Sequence, residues 1–225
     1  MIRVVLFDID GTLIRTRGAG TGAFERTFAT EFKIPRATAS LNFAGRTDTA
    51  LVQECFRAHG IPSTPKNFRR FFENYVFWLD HFLNARNGSI CTGVRQCLRA
   101  FQRLPNPPVL GLLTGNIRLG AEIKLRHFKL WDAFRLGAFG DDHEDRNELA
   151  RIAQKRASQT AGRKIAGPEI LVIGDTPLDI QCGNTIRAKV LAVATGEFSE
   201  AKLRAHRPTW LVKNLSGIRV EEICS

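Results

Sequence analysis

Two acidic residues, Asp8 and Asp10, stand one residue apart directly after the apolar run 4–7, and Gly11 follows them. If this run is a buried strand, both carboxylates point to the same side of it, and the glycine lets the backbone turn away. Two carboxylates this close repel each other unless a cation binds between them or they share a proton. The pattern therefore indicates cation-dependent chemistry or, more simply, the ordinary end of a strand.

A hydroxyl, a glycine and an amide follow a second apolar run: Thr114, Gly115 and Asn116 come directly after 109–113. The residues beyond them have helical periodicity, and the free N–H groups at the start of a helix can hold an anion. Taken alone, the segment is also compatible with a simple helix cap.

Two more acids, Asp175 and Asp179, stand four residues apart after the apolar run 170–173. Each has a bland interpretation as a helix cap or a first-turn acid that the helix dipole favours. In an open α/β sheet, however, the carboxyl ends of parallel strands share one edge. Because three polar segments of this kind follow three such runs, we predict that they meet there.

The elements that must position these residues alternate along most of the chain between apolar, β-branched runs and segments of helical periodicity. This rhythm predicts an α/β fold, a Rossmann-like parallel sheet with helices on both faces. The predicted strands are 2–7, 109–113, 134–138, 170–173, 190–194 and 209–212. Residues 20–86 show helical patterns instead and predict a helical insertion, with the aromatic residues of 68–82 in its core.

Composition excludes several classes of protein. The longest apolar runs are far shorter than the roughly 20 residues that cross a bilayer, so we expect no membrane association. Asp8 and Asp10 interrupt the early apolar stretch, which argues against a secretory signal. The five cysteines are irregularly spaced and predict reduced thiols in a cytoplasmic protein; they are Cys55, Cys91, Cys97, Cys182 and Cys224.

The net charge of +11 favours an anionic partner, either a phosphorylated metabolite or nucleic acid. The basic residues are spread along the chain, and no recognisable nucleic-acid module is present. We therefore expect an evenly basic surface and a small phosphorylated metabolite as the partner. The oligomeric state is left open.

Taken together, the segments 8–12, 114–116 and 174–179 resemble the motifs of the haloacid dehalogenase superfamily of phosphohydrolases. The resemblance covers essentially the whole chain, and it is closest to the phosphoglycolate phosphatase-like and β-phosphoglucomutase-like branch. It implies an α/β core formed by residues 1–16 and 87–225 and a small α-helical cap, residues 17–86, inserted after the first strand. It also places the first strand centrally, between the strands of the second and fourth motifs.

The resemblance assigns roles to the acidic residues. Asp8 would be the nucleophile that forms an aspartyl-phosphate, and Asp10 would protonate the leaving oxygen and later deprotonate the attacking water. Mg²⁺ is the implied cofactor. Its ligands would be Asp8, Asp10 through the backbone and Asp175, with Asp179 either a direct ligand or behind the direct ligands.

The resemblance also requires phosphate-binding groups. Thr114, Gly115 and Asn116 would bind phosphoryl oxygens. A lysine or arginine of the family pairs with the phosphate and the nucleophile, commonly in a Lys-Pro pair that this chain lacks. Arg146 occupies the corresponding place, and Lys124 is the competing candidate; the two side chains differ in reach and hydrogen-bond geometry.

In the predicted cap, Arg46 resembles a substrate-facing position and could reach an anionic leaving group. The alternative is an arginine that faces solvent at the start of a helix capped by Thr47 or Asp48.

The function implied by this resemblance is a Mg²⁺-dependent phosphatase acting on small phosphomonoesters. A phosphosugar mutase would use the same residues. A dehalogenase is disfavoured because such relatives generally lack an acid at the position of Asp10, and intact acids argue against a non-catalytic phosphate-binding protein. The sequence does not identify the substrate.

Overall fold

A computed structural model describes residues 1–224 of the chain. Its strands are β1 (Val4–Phe7), β2 (Ile14–Arg15), β3 (Ser89–Ile90), β4 (Val109–Leu113), β5 (Leu136–Ala138), β6 (Ile170–Gly174), β7 (Lys189–Val193) and β8 (Trp210–Val212). The α-helices are α1 (Ala19–Glu31), α2 (Asp48–Ala58), α3 (Pro65–Ala85), α4 (Val94–Gln102), α5 (Arg118–His127), α6 (Arg146–Ala161), α7 (Pro177–Thr185), α8 (Glu200–Ala205) and α9 (Val220–Cys224).

Six strands form one parallel sheet in the order β5-β4-β1-β6-β7-β8. β1 therefore lies between β4 and β6, as the motif resemblance implies. The six predicted strands are all present; the strand 109–113 has the predicted ends, and the ends of the others differ by at most two residues. The α/β fold predicted from the alternation of apolar runs is confirmed.

Helices cover both faces of the sheet. In β1, Val5 and Phe7 join an apolar cluster with α4, α5 and α9, whereas Val4 and Leu6 join a second cluster with α6, α7 and α8. The alternation follows from the two-residue period of a strand. Because both faces are buried, β1 is apolar at every position, which is typical of a central parallel strand.

The helices α1, α2 and α3 pack around a third apolar cluster, which also includes Ile117 next to α5. Phe71, Tyr75 and Leu79 are buried at four-residue spacing, so one face of α3 points into this cluster. Phe77 lies on the opposite face and is 64% exposed. The prediction that the aromatic residues of this region form its core is therefore wrong for Phe77.

The small antiparallel pair of β2 and β3 joins the two connections between the helical segment and the sheet. Ile14 pairs with Ile90 and Arg15 with Ser89. The chain thus leaves the sheet and returns to it at neighbouring positions, and this pair borders the sheet edge at which β1 ends.

Within residues 1–224, no helix is both long and apolar enough to cross a membrane. All five cysteines are buried free thiols. Burial raises the pKa of each thiol, to about 12 for Cys97 and Cys182, so these groups stay protonated at neutral pH and act as small packing residues.

Candidate active site

The three polar segments lie side by side at the carboxyl edge of the sheet. Phe7, the last residue of β1, is paired with Leu112 of β4 and Ile173 of β6, so the residues that follow these strands emerge together. They border a cavity of about 370 Å³, and the opposite side of that cavity is formed by residues of α1, α2, α3 and their connections.

Most residues selected from the sequence line this cavity. They are Asp8, Asp10, Arg46, Thr114, Gly115, Asn116, Lys124, Arg146 and Asp175. Asp179 is fully buried behind them and touches the cavity only through its partners.

Three buried carboxylates, those of Asp8, Asp175 and Asp179, each place an oxygen within 4.8 Å of the others. Burial raises the pKa of Asp8 to about 6, although Arg146 opposes the shift. Burial, followed by repulsion from Asp179 and Asp8, raises the pKa of Asp175 well above its ordinary value. This excess of negative charge in a desolvated cluster is what a hard cation with oxygen ligands would relieve.

Asp175 has one engaged and one unengaged oxygen. Thr12 Oγ1 donates to Asp175 Oδ1 at 2.7 Å, whereas Asp175 Oδ2 has no hydrogen-bond partner in residues 1–224. Gly11 has a φ of +82°, and a Cβ there would lie 2.4 Å from Oδ2. The motif needs glycine at this position for both its backbone conformation and its proximity to the carboxylate.

Asp179 has both of its oxygens engaged. Its Oδ2 accepts from the backbone N–H and the hydroxyl of Thr176, at 2.9 and 2.8 Å, in a capping box at the start of α7. Its Oδ1 accepts from Arg146. Asp179 therefore holds Arg146 in place and does not itself face the cavity.

Arg146 is the first residue of α6 and is buried between two carboxylates. Its Nη2 donates to Asp8 Oδ1 at 2.9 Å and to Asp179, and its Nη1 donates to the Gly45 carbonyl at 3.2 Å. Burial alone would lower the pKa of this guanidinium, but Asp179 and Asp8 outweigh burial and raise it further. The Nε atom is buried without a hydrogen-bond partner among the described residues.

Lys124, on α5, contacts a different carboxylate. Its Nζ lies 2.7 Å from Asp10 Oδ2 and donates to Asn116 Oδ1 at 2.6 Å. Asn116 Nδ2 donates to Asp10 Oδ2 at 2.8 Å and to Thr114 Oγ1 at 2.9 Å. The two candidate cations of the sequence are thus both buried in the site, with Arg146 on Asp8 and Lys124 on Asp10.

The connection between α1 and α2 lies directly on the sheet edge, and Asp48 is its main attachment. The Asp48 N–H donates to the Gly115 carbonyl at 2.7 Å, and its Oδ2 accepts from the Ile117 N–H at 2.9 Å. Thr47 and Thr49 donate to the carbonyls of Glu144 and Gly140. Burial raises the pKa of Asp48 to about 7, while Lys124 opposes the shift.

Close packing at Gly115 shows how tightly this connection lies on the sheet edge. A Cβ added there would lie 2.0 Å from the Arg46 carbonyl oxygen. Only glycine fits at this position, next to Thr114. Gly115 is therefore a point of contact between the helical segment and the sheet edge.

Arg46 lines the cavity, but its charge is already paired. Its Nη2 lies 2.6 Å from Glu54 Oε2 on α2, and its side chain is 29% exposed. Thr47, not Arg46, starts the helix, since its hydroxyl accepts from the Ala50 N–H.

Sequence reasoning did not select several residues that border the cavity. Asp48 was visible only as a helix-capping acid, and Tyr75 only as part of an aromatic core. Arg15 and Arg17 stand in a short basic segment between β1 and α1, and Arg17 is an exposed cation at the cavity. The sequence indicated these two arginines only through their position beside the first motif. That position does not show in which direction their side chains point.

Comparison with known proteins identifies the family and the fold of this chain. The family model of haloacid dehalogenase-like hydrolases matches residues 5–193. The curated proteins include no match.

Solved structures with the same fold include a hydrolase from Pseudomonas syringae, 20% identical over 100% of both chains with a TM-score of 0.75. A predicted phosphoglycolate phosphatase from Haemophilus somnus is 16% identical over 100% of this chain and 98% of its own, with a TM-score of 0.73. CbbY from Rhodobacter sphaeroides, in complex with phosphate, is 15% identical over 97% of both chains, with a TM-score of 0.75. The family match covers well over half of the chain, and the chain belongs to the haloacid dehalogenase-like hydrolase family.

Proposed function

We propose that this protein is a Mg²⁺-dependent phosphatase that hydrolyses small phosphomonoesters through an aspartyl-phosphate on Asp8. The observation that carries the proposal is the separation of two neighbouring carboxylates into different environments. Asp8 is buried beside Arg146, whereas Asp10 is held by Lys124 and Asn116. Two carboxylates with different surroundings can serve as nucleophile and as acid–base.

The proposed reaction has two steps. An oxygen of Asp8 attacks phosphorus, the bond to the leaving oxygen breaks, and that oxygen takes a proton from Asp10. Asp10 then takes a proton from a water molecule, which attacks the phosphorus, releases phosphate and restores Asp8.

Phosphoryl oxygens have suitable donors around Asp8. Arg146 supplies a positive charge next to Asp8. The Thr114 hydroxyl and the Gly115 N–H lie at the cavity, together with the Asn116 N–H, which donates to Thr114 Oγ1 at 3.3 Å. Such preorganised donors stabilise charge that develops in the transition state.

The carboxylate cluster fits Mg²⁺ because it is buried, offers only oxygen ligands and carries more negative charge than Arg146 neutralises. Asp8 Oδ2 and Asp175 Oδ2 have no hydrogen-bond partner in the described part of the chain, so we propose these side chains, with the backbone of Asp10, as ligands. Asp179 would not bind the ion directly, because both of its oxygens already accept hydrogen bonds. When bound, the ion supplies positive charge that screens the carboxylates from the phosphoryl group.

We further propose that residues 17–86 act as a cap on a core of residues 1–16 and 87–225. The support is the third apolar cluster, to which α1–α3 contribute every buried residue except Ala37 and Ile117, and the β2–β3 pair at both crossings. With the cap in place, the cavity has room for a small phosphorylated metabolite, and its apolar side contains Phe24, Phe43 and Leu51. Buried free thiols are consistent with a cytoplasmic enzyme.

The experiment is a phosphate-release assay over a panel of phosphometabolites and p-nitrophenyl phosphate, with Mg²⁺ and with a chelator. We expect activity that requires Mg²⁺ and is abolished in Asp8→Asn, because an amide is a poor nucleophile and a weaker ligand. Asp132→Asn, which alters an exposed acid that does not line the cavity, is the matched control.

Full activity of purified Asp8→Asn would refute the nucleophile assignment. Isomerised phosphosugar in place of free phosphate would identify a mutase, and absence of turnover over the whole panel would favour a binding protein.

A further inference from the structure

A buried lysine in the site is not needed to pair with the nucleophile. Arg146 already donates to Asp8, whereas Lys124 has only 4% of its surface exposed and donates to Asp10 and Asn116. Lysine is rarely buried to this extent unless its charge is paired. Lys124 therefore pairs with Asp10, the second carboxylate of the first motif.

Lys124 and Asn116 act on the same oxygen of Asp10. Both donate to Oδ2, at 2.7 and 2.8 Å. Asp10 Oδ1 has no hydrogen-bond partner within residues 1–224 and belongs to a side chain that is 41% exposed at the cavity. Because hydrogen bonds to charged groups are strong and directional, this arrangement fixes which oxygen faces the substrate.

The helical segment packs against the other side of the Lys124 ammonium. A Cβ added at Gly20 would lie 3.4 Å from Nζ and 3.9 Å from the Tyr75 hydroxyl, so the helical segment closes over the lysine. The positive charge of Lys124 also lowers the pKa of Asp48, although burial outweighs this effect. Lys124 is thus enclosed by the helical segment while its hydrogen bonds go to Asp10 and Asn116.

We propose that Lys124 is a positioning residue that, together with Asn116, fixes Asp10 Oδ2 so that Oδ1 faces the leaving-group oxygen. This inference rests on the proposed phosphatase function and deepens it. It replaces the alternative in which Lys124 pairs with the phosphate. In that alternative, loss of Lys124 would affect all substrates alike, because all of them share the phosphate.

The two alternatives differ in how they depend on the leaving group. General acid catalysis contributes about 10²- to 10⁴-fold, and it matters most for a leaving oxygen that cannot depart without a proton. We expect Lys124→Met to lower kcat/KM for an alkyl phosphate by about 10- to 100-fold. For 2,4-dinitrophenyl phosphate, whose leaving group needs no proton, we expect a change of less than about 3-fold.

The readout is the ratio of kcat/KM for these two substrates, measured on one preparation of each variant. The ratio does not depend on the fraction of protein that is folded, so partial unfolding of a variant does not distort it. Lys124→Gln is the second variant, because it retains a donor without the charge. Arg126→Met, on the same helix with its side chain 56% exposed, is the matched control and should leave the ratio unchanged.

A double-mutant cycle with Asp10→Asn completes the test. If Lys124 acts through Asp10, adding Lys124→Met to Asp10→Asn should cause no further loss on the alkyl phosphate. Equal losses on both substrates, or additive losses in the cycle, would overturn the inference and restore the phosphate-pairing role.

Failure of the proposed function has a separate signature. Absence of phosphate release by the unaltered protein would overturn that function and this inference with it. An active protein whose Asp8→Asn variant is inactive, but whose Lys124→Met variant loses activity equally on both substrates, would overturn this inference alone.

Discussion

The sheet edge and the helical segment form opposite walls of one cavity, and they hold their charged groups in different ways. On the sheet edge, Arg146 and Lys124 are buried, and each donates to a carboxylate of the first motif. On the helical wall, Arg46 is partly exposed and is paired with Glu54 of the neighbouring helix.

This difference in burial indicates a difference in task. Breaking a buried pair leaves an uncompensated charge and costs about 3–5 kcal/mol, whereas an exposed pair contributes about 0.2–1 kcal/mol. The sheet edge therefore presents groups in fixed positions, which suits the chemistry common to all substrates. The helical wall presents groups that can change partner, which suits the part of the substrate that varies.

The largest expected effect is at Arg146, because its guanidinium donates to Asp8, the proposed nucleophile. Arg146→Ala should lower kcat/KM about 10²- to 10³-fold for every phosphomonoester, since it removes charge stabilisation from the shared phosphoryl group. The measurement is steady-state kinetics on an alkyl and an aryl phosphate, with thermal unfolding as a check of folding.

Arg151→Ala is the control for this prediction, because Arg151 lies on the same helix with its side chain 54% exposed. If Arg146→Ala loses activity on only one of the two substrates, then Arg146 acts on the variable part of the substrate. The proposed difference between the two walls would then be wrong.

An intermediate effect is expected at Asp48, where the two walls meet. Its carboxyl pKa rises from 3.8 to about 7 in the folded protein, so the folded state holds this proton more tightly than the unfolded state. The free energy of unfolding should therefore fall as pH rises from about 4 to 7, because the unfolded chain ionises first. Asp48→Asn removes this contribution and keeps an oxygen that can accept from the Ile117 N–H.

The measurement for Asp48 is the difference in free energy of unfolding between Asp48→Asn and the unaltered protein at pH 4.5 and pH 7.5. We expect the difference to shift in favour of the asparagine variant at the higher pH, by on the order of 2–4 kcal/mol. Asp132→Asn should show no such shift. A pH-independent difference at Asp48 would mean that this carboxyl titrates normally and that the contact between the walls is looser than the structure shows.

The smallest effect is expected at Arg46. Arg46→Ala should change kcat/KM by less than about 10-fold. If Arg46 contacts the variable part of the substrate, the change should depend on whether the leaving group carries an anionic group. Glu54→Ala should act in the opposite direction for such substrates, since it releases Arg46 from its ion pair. Kinetics on one substrate with a second anionic group and one without it measure both effects.

Arg57→Ala, at an exposed position of α2, is the control for this comparison. A uniform loss in Arg46→Ala on both substrates would mean that the helical wall contributes to the common chemistry.

The six strands and the insertion could be predicted because their signals are local. A central strand such as β1 is apolar throughout, and a helix such as α3 repeats its apolar residues every three to four positions. The exposed face of α3 was less readable, because an aromatic run does not reveal on which side Phe77 lies.

The sequence alone determined where the acidic residues stand. Asp8, Asp10 and Asp175 follow strands that pair in a parallel sheet, so the order of elements along the chain is sufficient to bring them to one edge. Their types and spacing also indicated that carboxylates this close would bind a cation or share a proton.

Only the tertiary structure decided how the two cations are shared. Arg146 reaches Asp8 across 138 positions of the chain, and Lys124 reaches Asp10 across 114. Sequence spacing carries no information on such distances, because the packing of α5 and α6 against the sheet sets them. Asp48 was hidden for the same reason: its contact with Ile117 exists only where the helical segment lies on the sheet edge.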